Sequence, residues 1–143
     1  MMLYLDTSAL VKVYVEELGS SEVRHRVETT DVVAVSRIAW AELHAAVAQR
    51  ARLESTDEDA AEAARIALAS DWPTYLVLEV TQPVVERAGQ HAVTFALRGF
   101  DAVQLATAYE AKIWSGETVA FLSFDQRLMQ AAEVLGLTPS GAS

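Results

Sequence analysis

The sequence predicts an α/β fold, a single three-layer domain with a mostly parallel, four- to five-stranded sheet flanked by helices. Two observations predict it. Short apolar runs of strand length alternate with longer segments that have helical spacing. Each run is followed closely by a hydroxyl or acidic residue of the type that caps a helix, so strand leads to helix again and again. Such crossovers make neighbouring strands parallel and place helices on both faces. With 143 residues, 52% apolar and 22% charged, the chain has room for one core and needs no second domain. Residues 1–143 therefore read as one domain, with 139–143 frayed.

Met2-Leu3-Tyr4-Leu5 is an unbroken apolar run, fitting a strand buried on both faces, and Asp6-Thr7-Ser8 brings capping chemistry. A helix from near Ser8 carries Leu10, Val13 and Tyr14 on one side and should end near Gly19. Ser20 or Ser21 can cap a second helix through Thr29. Val32 to Val35 is the second strand, Ser36 its following cap, and Ile38 to Arg50 an alanine-rich helix with Glu42 one turn in. Ser55-Thr56-Asp57-Glu58 reads as a capping box for a helix packing through Ala61, Ala64, Ile66 and Leu68, which Trp72-Pro73 ends. Tyr75 to Val80 is the third strand, and Thr81 with Pro83 starts a helix that should fade near Arg98-Gly99. Asp101 opens a helix to about Ile113, Thr118 to Ser123 forms the fourth strand, and a last helix from Gln126 to Leu135 stops at Gly136. Leu137-Thr138-Pro139 fits a short edge strand.

Composition narrows the function classes. Without cysteine there is no disulfide framework, thiolate metal site or thiol nucleophile, and a reducing cytoplasm is the simplest setting. The longest apolar runs, Met1 to Leu5 and Val119 to Leu122, are too short to cross a bilayer, and no basic segment precedes the first. A cytoplasmic protein with no membrane partner is expected. A net charge of −9 weighs against a nucleic-acid partner. Its placement weakens that objection. Five acids (Glu54, Asp57, Glu58, Asp59, Glu62) fall in one nine-residue stretch without a base, suited to a solvated helix face. Setting these aside with Asp6, Glu42, Asp101 and Asp125 leaves 11 acids against 11 bases.

Those last four acids carry the chemistry. Asp6 directly follows the first strand, Asp125 lies just beyond the fourth, and Glu42 and Asp101 occupy opening turns of helices that can point back to the same edge. In open parallel sheets the ligand site lies beyond the carboxyl ends of the strands. Carboxylates gathered there repel and raise one another's pKa unless a cation neutralises them. All-oxygen donors favour Mg²⁺ or Mn²⁺ over zinc, and His25, His44 and His91 have no ligand spacing. One or two such ions could activate water against a phosphodiester.

Plainer readings exist for each residue. Taken singly, Asp6 or Asp101 reads as a helix cap, Glu42 as an exposed acid, and Asp125 as an Asx turn capping the last helix. Their co-occurrence at compatible positions shifts the balance. Thr7, Ser8 and Ser123 are supporting hydroxyls that double as caps, while Lys12, Arg37, Arg98 and Arg127 are candidate phosphate contacts and equally ordinary salt-bridge partners. Trp40, Trp72, Trp114, Phe95 and Phe100 read as core or subunit-interface residues, and the histidines as surface residues.

These segments resemble the PIN-domain ribonucleases, especially the VapC-like toxins of VapBC-type toxin-antitoxin pairs. LYLDTSALVKVY is similar to the family's first strand and Asp motif, SRIAWAEL to the segment supplying Glu42, LRGFDAVQLATA to that carrying Asp101, and FLSFDQRL to the last, with Asp125 and Ser123. The resemblance spans nearly the whole chain and implies a PIN-like fold with those four acids as catalytic and metal residues. It further implies a Mg²⁺- or Mn²⁺-dependent endoribonuclease that arrests translation, forms a homodimer and is blocked by a cognate antitoxin. Gln104 stands where many relatives carry histidine, and the Glu54 to Glu62 stretch is not explained by the resemblance.

Rival readings follow the same residues. A dehalogenase-type phosphohydrolase needs a second Asp where Ser8 stands, and a phosphorylated receiver domain needs a lysine where Asp125 and Gln126 follow the last strand. A non-catalytic module that binds metal, RNA or a partner keeps more weight, and a phosphomonoesterase less.

Overall fold

The first strand, β1 (Met2–Leu5), sits at the centre of five and is buried along its whole length. In this computed structural model, residues 1–54 and 57–139 are described. The sheet order is β3-β2-β1-β4-β5, with β2 (Val32–Ser36), β3 (Leu76–Leu78), β4 (Val119–Leu122) and β5 (Thr138–Pro139). Every neighbouring pair is parallel, from Leu3 opposite Val33 and Ala120 to Val35 opposite Val77 and Phe121 opposite Pro139.

Alternation along the central strands creates two cores. Leu3 and Leu5 of β1 join Val33, Val35 and Leu122 on one face. There they pack with α1 (Thr7–Tyr14), α2 (Ser20–Thr29), α3 (Ala39–Leu53) and α4 (Glu58–Asp71) through Leu10, Val23, Leu43 and Leu68. Met2 and Tyr4 point to the opposite face, where Tyr4 stacks on Phe121 with ring centroids 5.4 Å apart. That face is covered by α6 (Gly99–Ser115) and α7 (Gln126–Val134) through Leu105 and Leu128. A third apolar cluster, Val84, Ala88, Ala102 and Ala106, joins α5 (Gln82–Phe95) to α6. Adjacent side chains along each strand thus divide between layers, which is the three-layer α/β domain expected.

Several boundaries and packing assignments differ from the sequence reading. Helix α1 stops at Tyr14, and the turn after it is tied by Ser20, whose hydroxyl donates to the Val15 carbonyl at 3.0 Å and accepts the Glu17 N–H at 3.0 Å. Ser20 therefore closes the turn, and left-handed Gly19 takes the N-cap position of α2. Ser36 belongs to β2, with Ile38 at the N-cap of α3. Helix α5 ends at Phe95, ahead of the expected Arg98, because Ala96 adopts a left-handed conformation (φ 53°). Asp101 is not a cap, since Arg98 holds that position and Asp101 lies in the first turn. Ile66 is 62% exposed and turned from the core, while His91, expected at the surface, is buried against Phe95 and Tyr109. Trp40, Phe100 and Trp114 are exposed, whereas Trp72 and Phe95 pack against the cores. Pro139, expected at the start of a frayed end, is part of β5. The expected capping-box residues Ser55 and Thr56 and residues 140–143 lie outside the described residues.

Candidate active site

Local sequence places each acid by a different device. Asp6 ends β1 and caps α1, its Oδ1 accepting the Ala9 N–H at 3.0 Å and the Ser8 hydroxyl at 2.7 Å. Asp125 caps α7, accepting the Leu128 N–H at 2.9 Å. Glu42 and Asp101 lie in the first turns of α3 and α6. Helices α1, α3 and α7 follow the carboxyl ends of β1, β2 and β4, and α6, which follows α5, brings Asp101 into a cleft shared with Asp125.

Asp6 is only 4% exposed. Burial pushes its carboxyl up to about 6, hydrogen bonds from Ser123, Ser8 and the Ala9 N–H work against that rise, and the charge of Asp101 adds to it. Asp101 is also raised, first by burial and then by Asp125, with Arg98 offsetting part of the effect. Asp6, Asp101 and Asp125 are thus linked by mutual repulsion. Glu42 sits in a polar network. Its Oε1 accepts the Thr7 hydroxyl at 2.6 Å and the Gln104 side-chain N–H at 3.0 Å.

Hydroxyls stitch the edge together. Ser8 Oγ also accepts the Phe124 N–H at 3.0 Å and lies 3.5 Å from Ser123 Oγ, which in turn accepts the Asp125 N–H at 3.0 Å. The candidate cations divide. Arg98 and Arg127 line an open cleft of about 480 Å³ with Asp101 and Asp125. Arg37 pairs with Glu79, and Lys12 pairs with Glu17 at 3.0 Å and lies over the Phe124 ring. Sequence reasoning gave no role to the Tyr4 phenol, which donates to Gln104 Oε1. The available signal was an amide at position 104 among the apolar positions Ala102, Leu105 and Ala106, since a buried amide requires partners.

Among the described residues, no three histidines, aspartates or glutamates form a group that could hold a metal ion as it stands. The donor chemistry nevertheless fits a hard divalent cation, because Asp6, Asp101 and Asp125 offer oxygen ligands whose repulsion such a charge relieves. Asp6 and Asp101, with Asp125 acting on Asp101, are the residues that could hold it.

An all-parallel sheet with repelling carboxylates at its carboxyl edge defines a class of α/β domains built around an acidic, cation-seeking site. The chain belongs to the PIN domain family, which it matches over residues 3–134. It is 35% identical over 135 residues to Ribonuclease VapC46 of Mycobacterium tuberculosis, covering 94% of this chain and 93% of the relative. Ribonuclease VapC49 of the same organism is 38% identical over 112 residues, covering 75% and 74%. A toxin-antitoxin complex from Klebsiella pneumoniae has the same fold, with a TM-score of 0.59 at 20% identity over 85% of this chain and 84% of that one. PIN-domain ribonucleases generally use divalent metal ions.

Proposed function

We propose that the chain is a metal-dependent endoribonuclease that hydrolyses RNA phosphodiester bonds, acts as the toxin of a toxin-antitoxin pair by stopping translation, and is silenced by a cognate antitoxin. The convergence of buried Asp6 with Asp101 and Asp125 carries this reading. The relatives named as ribonucleases and the structural neighbour solved as a toxin-antitoxin complex support the substrate class and the partner. Work as a homodimer in the cytoplasm belongs to the same reading. No helix of the described residues is long and apolar enough to cross a membrane.

Asp6 and Asp101 would hold the principal ion, and Glu42 and Asp125 would bind a second ion or orient water. Mg²⁺ or Mn²⁺, one or two ions per site, would supply Lewis acidity for attack of water on phosphorus and for the departing oxygen. Ser8 and Ser123 fix Asp6, Thr7 fixes Glu42, and Arg98 and Arg127 at the cleft rim receive phosphates. Attack by water makes no demand on the RNA 2′-hydroxyl.

The test incubates purified, partner-free protein with RNA and with para-nitrophenyl phosphate, in Mg²⁺, Mn²⁺ or EDTA. RNA cleavage quenched by chelator is expected; monoester hydrolysis alone would reassign the chain as a phosphatase. A second reading, a module that binds RNA or its partner without turnover, is favoured by the lack of a ready-made three-acid cation site among the described residues. Silence toward both substrates would select it.

A further inference from the structure

We propose that Tyr4 and Gln104 are positioning residues that lock the Glu42 carboxylate, so that Oε1 is committed to protein donors and Oε2 alone is left for a cation. This inference rests on the metal site of the proposed function and specifies how one of its ligands is aimed.

The argument begins in the core. Tyr4 is 0% exposed and Gln104 3%, so every polar atom on them needs a partner within the protein. The Tyr4 phenol is sealed between β1 and α6. It donates to Gln104 Oε1, which orients the amide. Gln104 Nε2 then faces outward, donating to Glu42 Oε1 at 3.0 Å and to Thr7 Oγ1 at 3.2 Å. Thr7, having accepted that bond, spends its own proton on the same Glu42 oxygen at 2.6 Å.

The direction of donation therefore runs from β1 through α6 to α3, with α1 closing the ring. Turning the amide over would set its carbonyl against the carboxylate and its N–H₂ against the phenol proton. Three bonds would be lost and two repulsions gained. Gln104 also lies one helical turn after Asp101, so a single face of α6 presents one acid and aims another. Neutral donors hold Glu42 here, which leaves its negative charge available to a cation.

The test measures Mn²⁺ binding to the full chain by electron paramagnetic resonance of free Mn²⁺, alongside the side-chain amide signals of Gln104. Tyr4→Phe keeps the stack on Phe121 and removes only the hydroxyl, and Gln104→Met keeps the volume. Both should raise the Mn²⁺ Kd about tenfold, the lower range for loss of a group that orients a ligand. In a Glu42→Ala background Tyr4→Phe should add nothing, because the phenol acts only through Glu42. In Tyr4→Phe the Gln104 amide signals should shift. If Glu42→Ala and Asp6→Asn weaken Mn²⁺ binding while Tyr4→Phe and Gln104→Met do not, or if the losses add in the Glu42→Ala background, this inference alone fails. Unmoved amide signals in Tyr4→Phe overturn it even where Gln104→Met does not fold. A wild-type chain that binds no Mn²⁺, or whose binding ignores Asp6→Asn, sinks the metal site and this inference with it.

Discussion

The Ser8 hydroxyl donates to Asp6 Oδ1 at 2.7 Å and accepts the Phe124 N–H at 3.0 Å, so one small side chain holds a buried acid and ties down the loop leading to Asp125. Ser8→Ala removes one donor from Asp6, which keeps the Ala9 N–H, and the acceptor of the Phe124 N–H. It should cost about 0.5–1.5 kcal/mol in urea unfolding, the net worth of an ordinary hydrogen bond. It should also raise the Asp6 pKa further, since the Ser8 bond opposes the effect of burial. Carboxyl chemical shifts across a pH series will check the second outcome.

Asp6 should make the metal-free protein less stable as pH rises. The unfolded chain releases this proton near 3.8 and the folded chain at about 6. Between these values the folded state holds more protons, so stability falls with increasing pH and the penalty persists above the window. Asp6→Asn, which keeps an acceptor for the Ser8 and Ala9 donors, should gain on the order of 2–3 kcal/mol near neutral pH and little in acid. A gain that does not depend on pH in chemical denaturation would refute this account.

Cation binding and repulsion at this edge are two sides of one effect. Mg²⁺ or Mn²⁺ should raise the Tm of the wild-type chain, by about 2.7 kcal/mol of stability at a concentration a hundred times Kd. Asp101→Asn should blunt the shift and nearly abolish RNA cleavage. Calorimetric scans with and without EDTA, run beside the cleavage assay, read both.

His91 works in the opposite sense to Asp6. Burial and then the nearby Arg87 lower its pKa, while Glu110 pulls it up. Its Nδ1 is buried without a hydrogen-bond partner among the described residues. Because the unfolded imidazole protonates near 6.5 and the folded one resists, stability is retained above that pH and lost as pH falls below it. His91→Phe should flatten the acid limb of the stability profile, which urea titrations on either side of that pH will show.

Gly136 stops α7 with φ at 76°, and a Cβ placed there would stand 3.0 Å from Lys112 Nζ. The lysine tip can swing away, whereas the backbone strain cannot be relieved. Gly136→Ala should therefore cost about 1 kcal/mol by denaturant titration.

Strand and helix order was legible because it is written in local periodicity. Met2 to Leu5, Val119 to Leu122 and the cap at Thr81 form as their patterns require. Two of the failures depended on partners distant in sequence. Ile66 has the hydrophobicity of a core residue, yet the rotation of α4 leaves it outside, and His91 has a surface composition but is covered by Tyr109 from α6. Asp101 looked like a cap until the helix started two residues earlier, at Gly99.

By itself, the sequence determined the parallel α/β class and carried Asp6, Glu42, Asp101 and Asp125 to helix starts, because residue spacing sets which end of a crossover each occupies. Only the folded chain decided how unequal those acids are. Burial depth and hydrogen-bond direction arise from packing across β1, α1, α3 and α6, so Asp6 becomes a strained, desolvated acid while Glu42 is braced by Thr7 and Gln104. One-dimensional spacing contains neither quantity, since each depends on what covers a side chain in three dimensions.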